Sequence, residues 1–222
     1  MNRFFWKARN SLAFKVIIST VILSLGIVWI TGSALNSRLS SGIRDVNLNS
    51  AIVEARSTIF TADYRFLLAQ GEKDSIVQKV VDDVISSATT ITSNENTREV
   101  VFVRSPGNSM INNYEIASNL LDPATIPQSL SERVRKSNDI VWEYTNMRYL
   151  QGISVSGLAI GQKVQIPNAG QYEMYIVFSL ANEEKTLNLI DTYLLIAGLI
   201  LVLLISLITW VVVRQVVKPV RE

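Results

Sequence analysis

Two long stretches without a charged residue, 16–37 and 192–213, constrain the fold of this chain more than any other feature. At about 1.5 Å per residue, each is long enough as a helix to cross the roughly 30 Å hydrocarbon core of a bilayer. The second is almost entirely Leu, Ile and Val, with Tyr193 and Trp210 near its ends as interfacial anchors. We therefore predict two transmembrane helices. A cleaved signal peptide is the alternative for the first, although the apolar region of such a peptide is only about 7 to 15 residues long.

The charges beside these runs predict the topology of the chain. Residues 1–15 carry four basic residues and no acid, and residues 214–222 carry three basic residues and one acid. Short basic flanks stay in the cytoplasm. We therefore expect a multi-pass protein of the plasma membrane with cytoplasmic segments 1–15 and 214–222 and an extracytoplasmic domain over 38–191. The net charge of +2 gives no reason to expect a nucleic-acid partner.

The chain lacks both cysteine and histidine. It therefore has no disulfide framework and no thiolate nucleophile, and no imidazole can act as a base or as a metal ligand. No pair of nucleophile and base can be argued from the spacing of the remaining polar residues. We predict no catalytic residue, metal site or cofactor in this chain.

After the first run the apolar residues keep a helical period. Leu39, Val46, Val53, Phe60 and Leu67 recur every seven residues, so the membrane helix is expected to continue outward for several turns. This heptad stripe (Leu39, Val46, Val53, Phe60 and Leu67) is flanked by Ile43, Ile52, Ile59 and Phe66. The apolar side that they form together either makes a seam with a second copy of the chain or covers the domain's own sheet.

The rest of the domain predicts one further long helix, one short helix and a set of strands. Apolar spacing indicates a helix over 77–88, and 122–137 is interpreted as a loop followed by a short helix. Four strands are predicted at 99–105, 139–149, 155–166 and 171–180. The "PNAG" turn joins the last two into a hairpin, and the last strand alternates as a half-buried strand does.

This order of elements predicts an α+β fold. A long helix, a second helix and then an antiparallel meander is the order of PAS-like (PDC, or Cache) extracytoplasmic sensor domains, by analogy at the level of the fold. The last predicted strand leads without a helix breaker into the second membrane run, so a change in the sheet should reach Arg214.

The segment "RQVVKPVRE" resembles the entry into a HAMP linker, with Arg214, Pro219 and Arg221 as the matching, signal-transmitting residues. "FSLANEEKTLNLID", "WITGSALNSRL", "IPQSL" and "GLAIGQ" extend the likeness. Together they make the chain similar to MtrB-type sensor histidine kinases, best over 172–221.

The resemblance implies a homodimeric receptor kinase in a two-component system. A cytoplasmic histidine would be phosphorylated from ATP with Mg²⁺, and the phosphoryl group would pass to a response regulator. The implied stimulus is a cell-envelope or osmotic signal, and the implied outer partner is an envelope lipoprotein. Because this chain has no histidine, it would be the receptor half only. A chemoreceptor-type transducer and a non-signalling envelope scaffold with two anchors are the alternatives.

Candidate ligand residues lie on the predicted strands. Arg104 ends an apolar strand, where a guanidinium could hold an anion, and Trp142 and Tyr144 share one strand face. The alternative is that Arg104 pairs with a local acid and that both aromatic residues belong to the core. Glu183 and its neighbours either sense cations near the membrane or simply solvate the start of a helix.

Overall fold

The structure is a computed structural model that describes residues 12–92, 96–110, 114, 116–117 and 121–217. The chain divides into two compact units. The first comprises Met1–Ile43 with Thr186–Glu222, and the second is Arg44–Lys185.

The first unit consists of parts of two long helices, α1 (Leu12–Leu68) and α4 (Ala181–Val217). Both are long and apolar enough to cross a membrane, with a mean hydropathy of 2.1 and 2.9 in their most apolar windows. Only 6% of each window is buried, whereas the core helix of a soluble protein would be mostly buried. The two helices meet at Gly198, where an added Cβ would lie 2.7 Å from Cγ1 of Val28. The helix predicted to continue beyond the first run is confirmed, because α1 is unbroken to Leu68.

The second unit is an α+β domain that contains two further helices and an antiparallel sheet. The helices are α2 (Asp74–Ala88) and α3 (Gln128–Lys136), the latter preceded by a 3-10 turn at Pro123–Thr125. The strands are β1 (Thr90–Thr92), β2 (Asn96–Arg104), β3 (Ile116–Ala117), β4 (Val141–Arg148), β5 (Ser154–Ile166) and β6 (Gly170–Ser179). The four predicted strands and both predicted helices are thus present, and the short strands β1 and β3 were not predicted.

The sheet has the order β1-β2-β6-β5-β4, and β3 pairs with β2 off this path. The predicted β5–β6 hairpin is confirmed, with Ile166 paired to Gly170. Its turn requires positive φ at Asn168 (59°) and Gly170 (85°), a conformation that Asn and Gly adopt most readily. The Asn168 side chain also donates to the backbone carbonyl of Glu72 and to the carboxylate of Asp74, which fastens the turn to the start of α2.

One face of the sheet is covered by α1 and α2. Small residues on α1 let the helix approach the sheet closely, and Phe66 then reaches Phe102 of β2 with ring centroids 6.2 Å apart. The buried residues of α1 recur at helical spacing: Ala51, Ala55, Ile59, Ala62 and Phe66. The buried residues of α2 do the same: Val77, Val81, Val84 and Ala88.

The other face is covered by α3, whose Leu130 and Val134 are fully buried against the sheet. The prediction that β6 is half-buried is therefore wrong, because Tyr175 and Val177 on this face are as buried as Met174 and Ile176 on the opposite one. The alternation of polar and apolar residues in β6 suggested that Glu173 faces solvent. Glu173 is instead buried, which is possible because its carboxylate accepts hydrogen bonds inside the protein.

The heptad stripe does not cover the domain's own sheet. Val53 is 69% exposed and Phe60 is 72% exposed, whereas Ile59 and Phe66, beside the stripe on the helix, are 1% exposed. The adjacent row of α1 packs on the sheet instead, because the sheet can bury only one side of a helix. The interpretation that the apolar side of α1 covers the sheet is thus confirmed for the flanking residues Ile59 and Phe66 and does not hold for Val53 and Phe60.

Candidate functional site

A cavity of about 760 Å³ opens between the last turns of α1 and the β5–β6 hairpin. Its volume falls within the range of about 300 to 1,000 Å³ that is typical of small-molecule sites. The hairpin contributes residues 163–168, 170 and 171, and Gln70 follows the end of the helix. The helix itself contributes Phe60, Asp63, Tyr64, Phe66 and Leu67. Met110 and Asn138 complete the lining. The cavity therefore combines aromatic and aliphatic surface with a few polar groups.

Asp63 is the acidic residue in this lining. Its side chain is half-buried, and burial raises its pKa above the usual value of 3.8. Within the described part of the chain, no group donates a hydrogen bond to its carboxylate. Lys163 is the basic residue of the lining, but its ammonium donates to the backbone carbonyl of Arg135 at 3.4 Å, on the α3 side of the sheet. Among the described residues, the Asp63 carboxylate in the cavity wall therefore has no neutralising partner.

The structure separates the three predicted ligand residues. Arg104 ends β2 and is half-buried. The strand register places Trp142 level with Ile160, Ile176 and Val100, so β5 and β6 lie between Trp142 and the strand of Arg104. None of the three residues lines the 760 Å³ cavity. That they bind a ligand remains a prediction.

Trp142 and Tyr144 form an edge-to-face pair on β4, with ring centroids 5.6 Å apart and an interplanar angle of 78°. Trp142 packs against the core, and Tyr144 is 48% exposed. Such a pair stabilises an edge strand through contact between neighbouring aromatic side chains.

A buried polar network joins α3 to the sheet. The Arg135 guanidinium donates to Glu173 at 2.7 Å, and the Tyr175 hydroxyl donates to the second carboxylate oxygen at 2.6 Å. Glu173 is 0% exposed, so its charge depends on these donors. Burial, followed by the hydrogen bond to Glu173, raises the pKa of Tyr175 well above its usual range. Sequence reasoning missed this network because strand alternation assigned Glu173 to solvent.

In the second unit, Asn47 on α1 donates to Glu183 at the start of α4, with 3.2 Å between the amide nitrogen and the carboxylate oxygen. Glu183 was predicted either to sense cations or to solvate a helix start, and the contact with α1 was not foreseen. Both residues line a smaller cavity of about 310 Å³ together with Glu54 and Arg98. Glu54 and Arg98 form an ion pair there. The first turn of α4 is thereby bonded to α1 within this unit.

The three predicted signal-transmitting residues lie at the end of the chain. Arg214 is in α4, and nothing is described of its side chain. Pro219 and Arg221 lie outside the described residues.

Comparison with known proteins gives one group of relatives. No family model matches the chain. The chain is 30% identical over 225 residues to the sensor histidine kinase MtrB of Mycobacterium leprae, covering 96% of this chain and 37% of that protein. It is 27% identical to proteins of the same name from Mycolicibacterium paratuberculosis and Mycobacterium tuberculosis, with the same coverage. The chain thus spans little more than a third of the length of the curated relatives it matches.

Proposed function

We propose that this chain is the receptor portion of a two-component system, because it is similar to sensor histidine kinases named MtrB over 96% of its length. The chain is a membrane protein, with two apolar helices of spanning length. A receptor needs a domain that meets the stimulus and a helix that crosses the membrane, and the α+β unit and the two long apolar helices are suited to these roles. The alignment across both apolar helices and the domain between them is the observation that carries the proposal.

The kinase chemistry belongs to the proposal and not to this chain. The intact protein would phosphorylate a cytoplasmic histidine from ATP with Mg²⁺ and pass the phosphoryl group to a response regulator. A cell-envelope or osmotic signal is the proposed stimulus, and an envelope lipoprotein is a proposed outer partner. Only the resemblance supports these assignments.

The proposed topology places both ends of the chain in the cytoplasm and Arg44–Lys185 outside the cell. Basic flanks beside two apolar helices support it. Because the chain has no cysteine, Gln151→Cys and Gln215→Cys would each create one reactive thiol. In intact cells, a membrane-impermeant maleimide should label the first and not the second. Labelling in the opposite pattern would reject this topology.

We propose that the outer domain is PAS-like. Support comes from the long helix and second helix on one face of the sheet, and from an antiparallel sheet whose first long strand, β2, pairs with its last, β6. This is an analogy of fold and carries no ligand with it.

We propose that two copies of the chain associate through the heptad stripe. Its outer members are exposed although they are large and apolar, and a spacing of seven residues is the period of a two-helix seam. Burying these side chains against a second copy would remove them from water. The response to a stimulus would then be a change in how the two copies pack.

Transmission through α4 and a HAMP linker at Arg214, Pro219 and Arg221 completes the proposal. The Asn47–Glu183 hydrogen bond supports it, because it connects the start of α4 to α1. α4 then continues without a break to Val217. A helix can carry a rotation of its first turn to its last.

A chimaera tests the proposal. The aligned region of Mycobacterium tuberculosis MtrB is replaced by this chain, and ATP-dependent autophosphorylation is measured in membrane vesicles. One alanine inserted after Val213 rotates the following helix by about 100° and should change the rate, whereas seven insertions return it to within about 20°. Equal rates in the parent and both insertion variants would reject transmission through this helix.

A further inference from the structure

We propose that the 760 Å³ cavity binds a small organic cation, with the ammonium group against the Asp63 carboxylate and the apolar part against Tyr64. This inference names a ligand class for the domain of the proposed receptor. That the ligand acts as a signal rests on the proposed function, whereas the binding itself does not.

The charge of the cavity favours a cation. Asp63 is the acidic residue in the lining, and no described residue neutralises it. The ammonium of Lys163 is engaged on the other side of the sheet by the Arg135 carbonyl. A desolvated carboxylate without a partner raises the free energy of the folded state, and a bound cation would offset that cost.

The aromatic residues favour an organic ion over a metal. Phe60 and Tyr64, which lie about one helical turn apart, line the same cavity as Asp63, so aromatic rings and a carboxylate share its wall. The faces of such rings attract ammonium groups. Ca²⁺ takes about 6 to 8 oxygen ligands, usually with several carboxylates, and this lining supplies one carboxylate.

No described part of the chain packs over the exposed ring of Tyr64. Tyr64 is 55% exposed, and it is not part of the heptad stripe that is assigned to the second copy. A dimer seam therefore does not account for it. A ligand with apolar carbon next to its charge would cover this ring and neutralise Asp63 together.

The experiment uses the full chain in lipid nanodiscs and measures binding by ligand-observed NMR. The probes are choline and tetramethylammonium, and the control is 3,3-dimethylbutan-1-ol, which has the shape of choline without its charge. Both cations should bind and the neutral alcohol should not. Asp63→Asn should weaken binding of choline about tenfold or more, since a charged partner becomes a neutral one.

Three further variants sharpen the test. Asp63→Glu keeps the charge and should keep binding, and Tyr64→Leu should weaken it by removing one ring. Asp45→Asn removes an exposed acid from the same helix outside the cavity, and binding should not change. Thermal unfolding of each variant reports that it is folded.

The inference is overturned if neither cation binds, if the neutral alcohol binds as well as choline, or if Asp63→Asn leaves binding unchanged. Displacement of choline by Ca²⁺ at equal concentration would also overturn it in favour of a metal. The assay contains no kinase. Its failure would therefore leave the labelling and insertion tests of the proposed function unaffected.

Discussion

The Arg135 guanidinium lies 2.7 Å from the carboxylate of Glu173, which is 0% exposed on the central strand β6. Arg135 itself is 39% exposed, so one partner of the pair reaches water and the other does not. Lys163 is the cross-strand neighbour of Glu173 in the β5–β6 ladder, and its ammonium donates to the backbone carbonyl of Arg135. The contact fixes α3 on the sheet through a buried charge.

Arg135→Met should destabilise the domain by about 3 kcal/mol or more, because it leaves the buried Glu173 charge without its ionic partner. Arg133→Met is the matched control on the same helix. Its pair with Glu143 is more exposed and should contribute at most about 1 kcal/mol. Chemical unfolding of the two variants measures the difference. The double variant Arg135→Met with Glu173→Met should recover part of the loss, and equal destabilisation by both single variants would show that burial of Glu173 does not matter.

Tyr175 predicts a loss of stability in alkali. Burial and the hydrogen bond to Glu173 raise its pKa in the folded state above the usual value of 10. Above pH 10 the unfolded chain therefore loses this proton while the folded chain keeps it, and stability falls as pH rises. Tyr175→Phe should remove this part of the slope. The measurement compares the free energy of unfolding of both proteins at neutral and alkaline pH, and parallel curves would contradict the prediction.

The burial of Asp63 predicts that this carboxylate lowers the stability of the free protein at neutral pH. Burial raises its pKa in the folded state above 3.8, so the folded chain holds the proton more tightly than the unfolded chain does. Its unfavourable contribution is absent below the unfolded pKa, develops as pH rises through the folded pKa, and persists at neutral pH. Asp63→Asn should therefore raise the unfolding midpoint at neutral pH and not in strong acid. Asp45→Asn, at an exposed position, should raise it at neither.

The heptad stripe predicts a specific cross-link. Val53→Cys should form a disulfide between two copies in membranes, because an exposed position at the centre of a seam faces its own equivalent. Thr61→Cys is an exposed position on the same helix away from the stripe and should not. Val53→Lys should reduce the dimer fraction, because it places a charge in the seam. Cross-linking at Thr61 and not at Val53 would move the seam to another side of α1.

The sequence alone determined the two apolar helices and the main strands. A run without charge such as 192–213 has few alternatives, because hydrocarbon cannot solvate charged groups and a helix satisfies its own backbone. Strand alternation and the turn at 167–170 likewise depend on neighbours in the chain. Patterns of this kind can be predicted from the sequence because they involve only residues that are close together in the chain.

Only the tertiary structure decided which surfaces meet. The apolar period of α1 indicated an apolar side, but the sheet packs on Ile59 and Phe66 and leaves Val53 and Phe60 exposed. In the same way, α3 covers the second face of β6 and turns Glu173 from an expected surface residue into a buried ion. The cavity beside Asp63 exists because the end of α1 adjoins the β5–β6 hairpin about a hundred residues later in the chain. The period of the apolar residues indicates which side of a helix or strand is apolar. The element that packs on that side is decided by contacts between segments far apart in the sequence.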